Sequence, residues 1–494
     1  MLDAGSVAAR IWDIWLAPGL QKRFSEHLHL SLEDPRALVC WLAATHDMGK
    51  ATPEFAGQLD KRKDENLAVY RQRIEQKNFE FPEDLVTPAS SLRCPHSKYS
   101  QSILVHLLSR NIEGMPSEVA ISLASISGAH HGTPADYLPA SNTLSNVILE
   151  RLSPAWHATW QELYDLTVER FGASSALQQL AQRGRTIPVS VQFCITGLVI
   201  MADWIASNPE FFPMGTFGSA EQEQRACIGW QALGLEQRWI AALDTDPSTP
   251  AVDLYASRFG WQNPTLHPMQ EVVVEAARSM KNSGMMCIEA PMGQGKTEAG
   301  LIAAEFLAQA TGRTGVAFAA PTQATSNALF DRVIDWVKFQ TEHVAQQGGE
   351  KIHPHSMFLG HSKKRFNATF TNLPRADVFD HENDTRETRG AGRKTLRPGI
   401  SLARHSWLSG TKKGLLSSFV VCTIDQVLMA ALQARHVMLR YLGLASKIII
   451  IDEVHAYDAY MNQYLSVALY WLGQMNAPVI LMSATLPAHV RTSL

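Results

Sequence analysis

The segment Glu289-Ala-Pro-Met-Gly-Gln-Gly-Lys-Thr297 constrains the fold more than any other part of the chain. It follows a short apolar run, Met285–Glu289, and precedes a stretch of helical character, Glu298–Gln309. A loop of this kind cradles phosphate only when a strand delivers it and a helix starts from it. The N–H groups of the turn and of the first helical residues must converge on one anion. Gly293 and Gly295 let the backbone wrap, Lys296 supplies a cation, and the Thr297 hydroxyl can hold Mg²⁺. Such a unit belongs to a parallel α/β sheet, and it makes ATP the expected nucleotide. The strict pattern has Gly where Ala290 stands.

Further β-branched or apolar runs follow at Val316–Ala320, Phe419–Cys422, Ile448–Ile451 and Val479–Met482, separated by helical stretches. Asp452 and Glu453 come directly after one of them. The C-terminal edge of its strands is where a parallel sheet places its site. Asp452 is therefore the candidate Mg²⁺ ligand, and Glu453 the candidate to orient an attacking water. Polar groups also follow other runs: Pro321, Thr322 and Gln323; Thr423, Asp425 and Gln426; Ser483 and Thr485. Gln270 follows Asn263-Pro264 and His267-Pro268. Singly, each of these reads as a turn or a cap.

The first half has a different texture. Residues 1–245 read as helices, with apolar residues at helical spacing in Pro35–His46, Ser117–Ser127 and Val189–Ile205. The boundary falls in the polar cluster Asp244–Pro250, so residues 1–245 and 246–494 are the expected domains. His46 and Asp47 end one helix, with Gly49 as its stop and Lys50 next. His96 follows Pro95, and His130 and His131 follow another helix. Asp203 interrupts an apolar face with no Lys or Arg within a turn. A buried carboxylate of that kind is costly unless paired or metal-bound. Imidazoles with carboxylates suit Mn, Fe, Co, Ni or Zn better than Mg alone.

Composition narrows the remaining possibilities. The formal charge of −3 does not advertise nucleic-acid binding, so any such contact has to be local. Residues 344–411 form a long polar insertion, expected to be functional or partly disordered. From His361 to Lys413 there are 12 Lys plus Arg against 5 acids. That segment is the natural place for phosphate contacts. The apolar run Phe193–Ala206 is interrupted by Asp203, so no membrane partner is expected. The six scattered cysteines read as buried thiols in a reducing compartment.

Taken in order, the polar segments at the strand ends resemble a superfamily 2 helicase domain, in which Ala290 is a common departure. The adjacent His-Asp, the later His-His and the distal Asp resemble the HD phosphohydrolase superfamily. Together they resemble the nuclease-helicase of type I CRISPR interference. The segments that carry this are His46-Asp-Met-Gly-Lys50, His130-His131, Met201-Ala-Asp-Trp204, Thr423-Ile-Asp-Gln426 and Asp452-Glu-Val-His-Ala-Tyr457. The resemblance implies a multidomain chain, with an all-α HD nuclease domain followed by an α/β RecA-like helicase domain with a parallel sheet. It implies a two-metal site of Mn, Co, Ni or Fe in which Asp47 bridges. His46 and Asp203 complete one position, His96, His130 and His131 the other, and Lys50 stabilises the phosphate.

It further implies ATP and Mg²⁺ as cofactors and single-stranded DNA as substrate. Pro321, Thr322, Gln323, Thr423, Asp425 and Gln426 would touch the strand, Ser483 and Thr485 would couple it to ATP, and Gln270 would read the adenine. The helicase would move 3′-to-5′, recruited by an RNA-guided surveillance complex in a prokaryotic cytoplasm. By the same resemblance the chain looks like a fragment. It would lack a second RecA-like domain with its arginine finger, and Met1 would stand where the family has a metal-binding His. His27 and His29 are the nearest alternatives. Two other readings compete: an HD phosphohydrolase acting on small nucleotides, and a non-catalytic DNA- or partner-binding module.

Overall fold

A computed structural model describes residues 1–57, 72–82, 95–133, 149–213, 219–235, 237–348, 354–376, 402–410, 412–432 and 434–486. The chain divides into two compact units, one of Met1–Trp12 with Phe24–Gly229, the other of Asp13–Arg23 with Trp230–Leu494.

The first unit is helical. Helix Asp34–Thr45 starts on a proline that presets its φ and buries every residue from Leu38 to Thr45. A helix buried on all sides lies at the centre of its unit. Helices Leu2–Arg10, Ser117–Gly128 and Val189–Ala206 pack around it. Val189–Ala206 is long and apolar enough to cross a membrane, but 72% of it is buried within the unit, so its apolar surface forms core.

The second unit is built on one sheet of eight strands. They are β1 (Met285–Glu289), β2 (Val316–Ala320), β3 (His355–Gly360), β4 (Arg375–Ala376), β5 (Leu402–His405), β6 (Phe419–Thr423), β7 (Ile448–Ile451) and β8 (Val479–Ser483). Their order is β1-β8-β7-β2-β6-β3-β5-β4, and every pairing is parallel. β2, β6, β7 and β8 are buried at every residue, as strands covered on both faces must be. The fold class is thus the multidomain all-α plus parallel α/β arrangement read from the sequence.

The structure differs from the sequence reading inside residues 344–411. Three of the eight strands come from that segment, and β3 pairs with β6 in the middle of the sheet. The polar average of the segment conceals a buried Ser356-Met-Phe-Leu-Gly360. Residues 377–401, which carry Arg386, Arg389, Arg393, Lys394 and Arg397, lie outside the described residues.

The second unit also holds a buried charge pair. Arg258 Nε donates to both Glu305 carboxylate oxygens at 3.2 and 3.0 Å, and Trp336 Nε1 and Gln340 Nε2 donate to the same carboxylate. This network fixes helices Ala251–Phe259, Lys296–Thr311 and Gln323–Gly348 to one another.

Candidate metal centre and nucleotide site

In the first unit Asp47 lies where three helix ends meet. Helix Asp34–Thr45 ends at Thr45, with His46 as its cap, and a single 3₁₀ turn, Met48–Lys50, follows. That turn presses against the start of helix His96–Asn111. A Cβ on Gly49 would lie 2.0 Å from the His96 carbonyl oxygen and 2.6 Å from Ser100 N. Gly49 is therefore required for backbone approach, which its reading as a helix stop did not capture. Its N–H donates to Ser100 Oγ at 2.8 Å, which pins the turn in place.

The approach brings the ligand candidates together. Asp47 Oδ2 lies 3.2 Å from His46 Nε2 and accepts from Lys50 Nζ at 2.5 Å. Asp47 Oδ1 lies 3.4 Å from His96 Nε2 and 3.7 Å from His130 Nε2. Asp203 Oδ1 lies 3.2 Å from His46 Nε2 and accepts from Ser207 Oγ. His131 Nε2 faces His96 Nε2 at 2.9 Å. Helix Val189–Ala206 carries Asp203 near its C-terminal end, and helix Ser117–Gly128 delivers His130 and His131 just beyond its own. His27 and His29 join neither group. They line a separate pocket with Arg183 and Arg185.

The tautomers define the chemistry. His46 Nδ1 lies 2.6 Å from the Ala43 carbonyl, and His130 Nδ1 lies 2.6 Å from the Ser127 carbonyl. A carbonyl only accepts, so both Nδ1 atoms carry protons, and the inward-facing Nε2 atoms are the ones left to meet a cation: a metal ion, or in its place a second proton on His46. Those two Nε2 atoms are buried and make no hydrogen bond of good geometry. Lone pairs and carboxylates at these distances repel unless a cation lies among them. Burial alone would lower the proton affinity of His46, but Asp203 and Asp47 reverse the effect and raise it to about 9. Burial would raise the Asp47 carboxyl, yet hydrogen bonds from His46 and His96 hold it far below its ordinary value. His130 is pushed down to about 3 by burial and by the charge on His46, which leaves it a neutral donor of electrons. Asp47 thus belongs to a cluster that calls for positive charge, and His/carboxylate donors fit a divalent metal.

In the second unit the phosphate loop joins β1 to helix Lys296–Thr311. Gly293 and Gly295 have φ of 80° and 73°, where a side chain would be strained. A pocket of about 420 Å³ lies over the loop, lined by Gly293, Gly295, Lys296, Thr297, Asp452 and Glu453 among others. Lys296 Nζ donates to the carbonyls of Ala290 and Pro291 at 2.6 and 3.2 Å. Gln270 is buried against the loop. Its Oε1 accepts from His267 N, and its Nε2 lies 3.5 Å from the Gly295 carbonyl. Burial and the neighbouring Glu453 charge push Asp452 up to about 6. Glu453 takes the left-handed backbone conformation, φ 52°, which a non-glycine residue adopts at a cost. His455 Nδ1 lies 3.2 Å from Glu453 Oε2 and 3.1 Å from Ser483 Oγ, so it links the β7 and β8 ends. Arg332 also lines this pocket, paired with Glu298, and no sequence signal marked it.

The remaining strand-end residues occupy the C-terminal edge of the sheet. Pro321 follows β2. Thr322 Oγ1 accepts from Thr325 N at 3.1 Å, so Thr322 also caps the next helix. Gln323 Nε2 donates to Ser362 Oγ at 3.2 Å. Thr423 is buried at the end of β6, Asp425 is exposed, and the Gln426 carbonyl accepts from Arg440. Ser483 ends β8, where its Oγ donates to the Thr485 carbonyl.

Residues 1–212 match the family model "Cas3, HD domain". Over 510 residues the chain is 32% identical to a CRISPR-associated nuclease/helicase Cas3 of Streptococcus thermophilus, covering all of this chain and 50% of that one. The likeness to Cas3 runs the whole length of the chain. The chain also resembles the crystal structure of T. fusca Cas3-AMPPNP, with TM-score 0.77 and 26% identity over all of this chain and 49% of that one. A chain from a CRISPR RNA-guided surveillance complex in the pre-nicking state shares the fold, with TM-score 0.63 and 23% identity, over 100% of this chain and 46% of that chain. The chain spans about half the length of the Cas3 relatives it matches.

Proposed function

We propose that the chain is the nuclease and first ATP-binding portion of a Cas3 enzyme, cutting single-stranded DNA at the Asp47 cluster during type I CRISPR interference. The observation that carries this is Asp47, whose two oxygens face His96 and His130 on one side and His46 on the other. A carboxylate so placed suits a bridging role, with Asp203 completing the His46 side and His131 the His96 side. When bound there, a pair of Mn, Co, Ni or Fe ions would supply an activated water and charge for the departing oxygen. Lys50 is 41% exposed and sits beside Asp47, within reach of a phosphate entering from solvent. The buried Nε2 atoms of His46 and His130 hold the inner wall and keep their tautomers through carbonyl contacts.

The second unit supports a nucleotide-driven role. Lys296 and Thr297 would hold ATP phosphates, Asp452 would hold Mg²⁺, and Glu453 would orient water. The His455 link from Glu453 to Ser483 offers a route from the nucleotide to the strand-end residues. In a complete enzyme this would drive 3′-to-5′ movement along DNA opened by the surveillance complex in a prokaryotic cytoplasm.

The test is incubation of the chain with circular single-stranded DNA in Mn²⁺, Co²⁺ or Ni²⁺, with and without ATP. Cutting that requires metal but not ATP is expected, because every proposed metal ligand lies in the first unit. Release of phosphate from free nucleotides with the circle left intact would move the assignment to a small-nucleotide phosphohydrolase.

A further inference from the structure

The C-terminal edge of the sheet brings together loops that are distant in sequence. β2, β6 and β3 are consecutive neighbours and parallel, so their following loops emerge side by side. The loop after β3, His361–Asn367, touches the loop after β2 through the hydrogen bond from Gln323 to Ser362. This loop is firmly held. His361 is buried, with its Nε2 2.9 Å from Asn327 Oδ1, and Asn367 Nδ2 donates to the same oxygen. Asn367 Oδ1 also accepts from Phe370 N and caps the short helix Ala368–Asn372. Lys364 turns inward, its Nζ 4.2 Å from the centre of the Phe358 ring, and donates to the Ser409 carbonyl.

Phe366 is the exception. It is 72% exposed although its neighbours on both sides are anchored, so the loop geometry presents the ring to solvent. The Arg365 guanidinium lies 4.8 Å from its centre, and Lys363 is exposed beside it. An aromatic ring flanked by two cations, on a rigid loop that Gln323 touches through Ser362, has the composition of a stacking platform for a base.

Resting on the single-stranded DNA reading above, we infer that Phe366 is a base-binding subsite at the sheet edge. One nucleobase stacks on its ring while Lys363 and Arg365 hold the adjoining phosphates. Stacking requires only a π-face, so the subsite accepts any base and leaves a translocating strand free of sequence preference. Lys364 contributes to holding the loop and not to the strand.

The experiment is fluorescence anisotropy of the 494-residue chain with a labelled single-stranded oligonucleotide and with an abasic oligonucleotide of equal length, without nucleotide. The parent is expected to bind the base-bearing strand more tightly. Phe366→Ala should weaken that binding by about five- to a hundred-fold, the range for loss of one base–aromatic stack. It should leave abasic binding and the salt slope unchanged, and Phe366→Tyr should restore the base-dependent part. Lys363→Ala with Arg365→Ala should flatten the salt slope for both strands. All these side chains are exposed, so unchanged melting of the variants is expected and excludes misfolding as the cause. Equal losses on both strands, or a Phe366→Ala variant that binds like the parent, would overturn the subsite while leaving DNA binding intact. A parent chain that binds neither strand at low salt would overturn the DNA reading itself.

Discussion

Replacing Gly49 with Ala tests how the metal centre is assembled. The residue has no positive φ to protect, so any effect comes from space. The added methyl would stand 2.0 Å from the His96 carbonyl oxygen, 2.6 Å from Ser100 N and 2.8 Å from Tyr99 Cβ. Two of these atoms are backbone at the start of a 16-residue helix and cannot rotate away. The turn carrying Asp47 must therefore retreat by about 1 Å, at a cost of ~1–3 kcal/mol for an overpacked site. The same retreat breaks the Gly49 N–H to Ser100 bond and stretches the 3.4 Å separation between Asp47 Oδ1 and His96 Nε2. Loss of a supporting contact around a metal ligand typically weakens metal affinity about 10–100-fold. The assay is calorimetric titration of the chain with Mn²⁺, with thermal melting alongside. A lower melting temperature together with weakened Mn²⁺ binding is expected. Mn²⁺ binding equal to the parent in a variant that melts at a lower temperature would refute the argument that this turn positions Asp47.

Three further outcomes follow from the second unit. Glu305→Ala should destabilise it by about 3–5 kcal/mol, because buried Arg258, Trp336 Nε1 and Gln340 Nε2 all lose their acceptor. A loss under about 1 kcal/mol in urea melts would contradict this. His405 is pushed down to about 4 by burial, so the unfolded chain binds its proton near 6.5 while the folded chain stays neutral. Its contribution is complete above that pH and is lost as pH falls towards 4, so His405→Gln should melt with less acid sensitivity than the parent between pH 7 and 4.5. An unchanged acid dependence would count against it. ATP with Mg²⁺ should raise the melting temperature of the chain, and Lys296→Ala should remove that shift, since its Nζ reaches across the phosphate loop. A shift that persists in the variant would place the nucleotide elsewhere.

The sequence was most readable where several local signals agreed. β1, β2 and β7 fall within the residues expected, and β6 and β8 extend one residue further, because four or five apolar residues in a row ending at a polar turn have few alternatives. β3 was hidden because a Gly-, His- and Lys-rich setting diluted its buried core. The identities of the cluster residues were legible from residue type, yet their assembly was not. Gly49, Ser100 and Ser207 hold the ligands in place, and each is an ordinary loop or helix residue in the sequence. Arg332 and the His455 bridge depend on how helices and strands converge, which spacing along the chain does not encode. Lys364 illustrates the converse. It belongs to the cation-rich segment His361–Lys413, where the sequence places phosphate contacts, and the structure turns it onto Phe358.

The most direct test of the account compares three chains on circular single-stranded DNA in Mn²⁺: the parent, Asp47→Ala and Lys296→Ala. Among the described residues Asp47 is the one carboxylate within 4 Å of all three of His46, His96 and His130, so its loss should abolish cutting. Lys296 lies in the other unit, so its variant should cut as the parent does. An Asp47→Ala chain that still cuts at the parental rate would contradict the assignment of the metal centre.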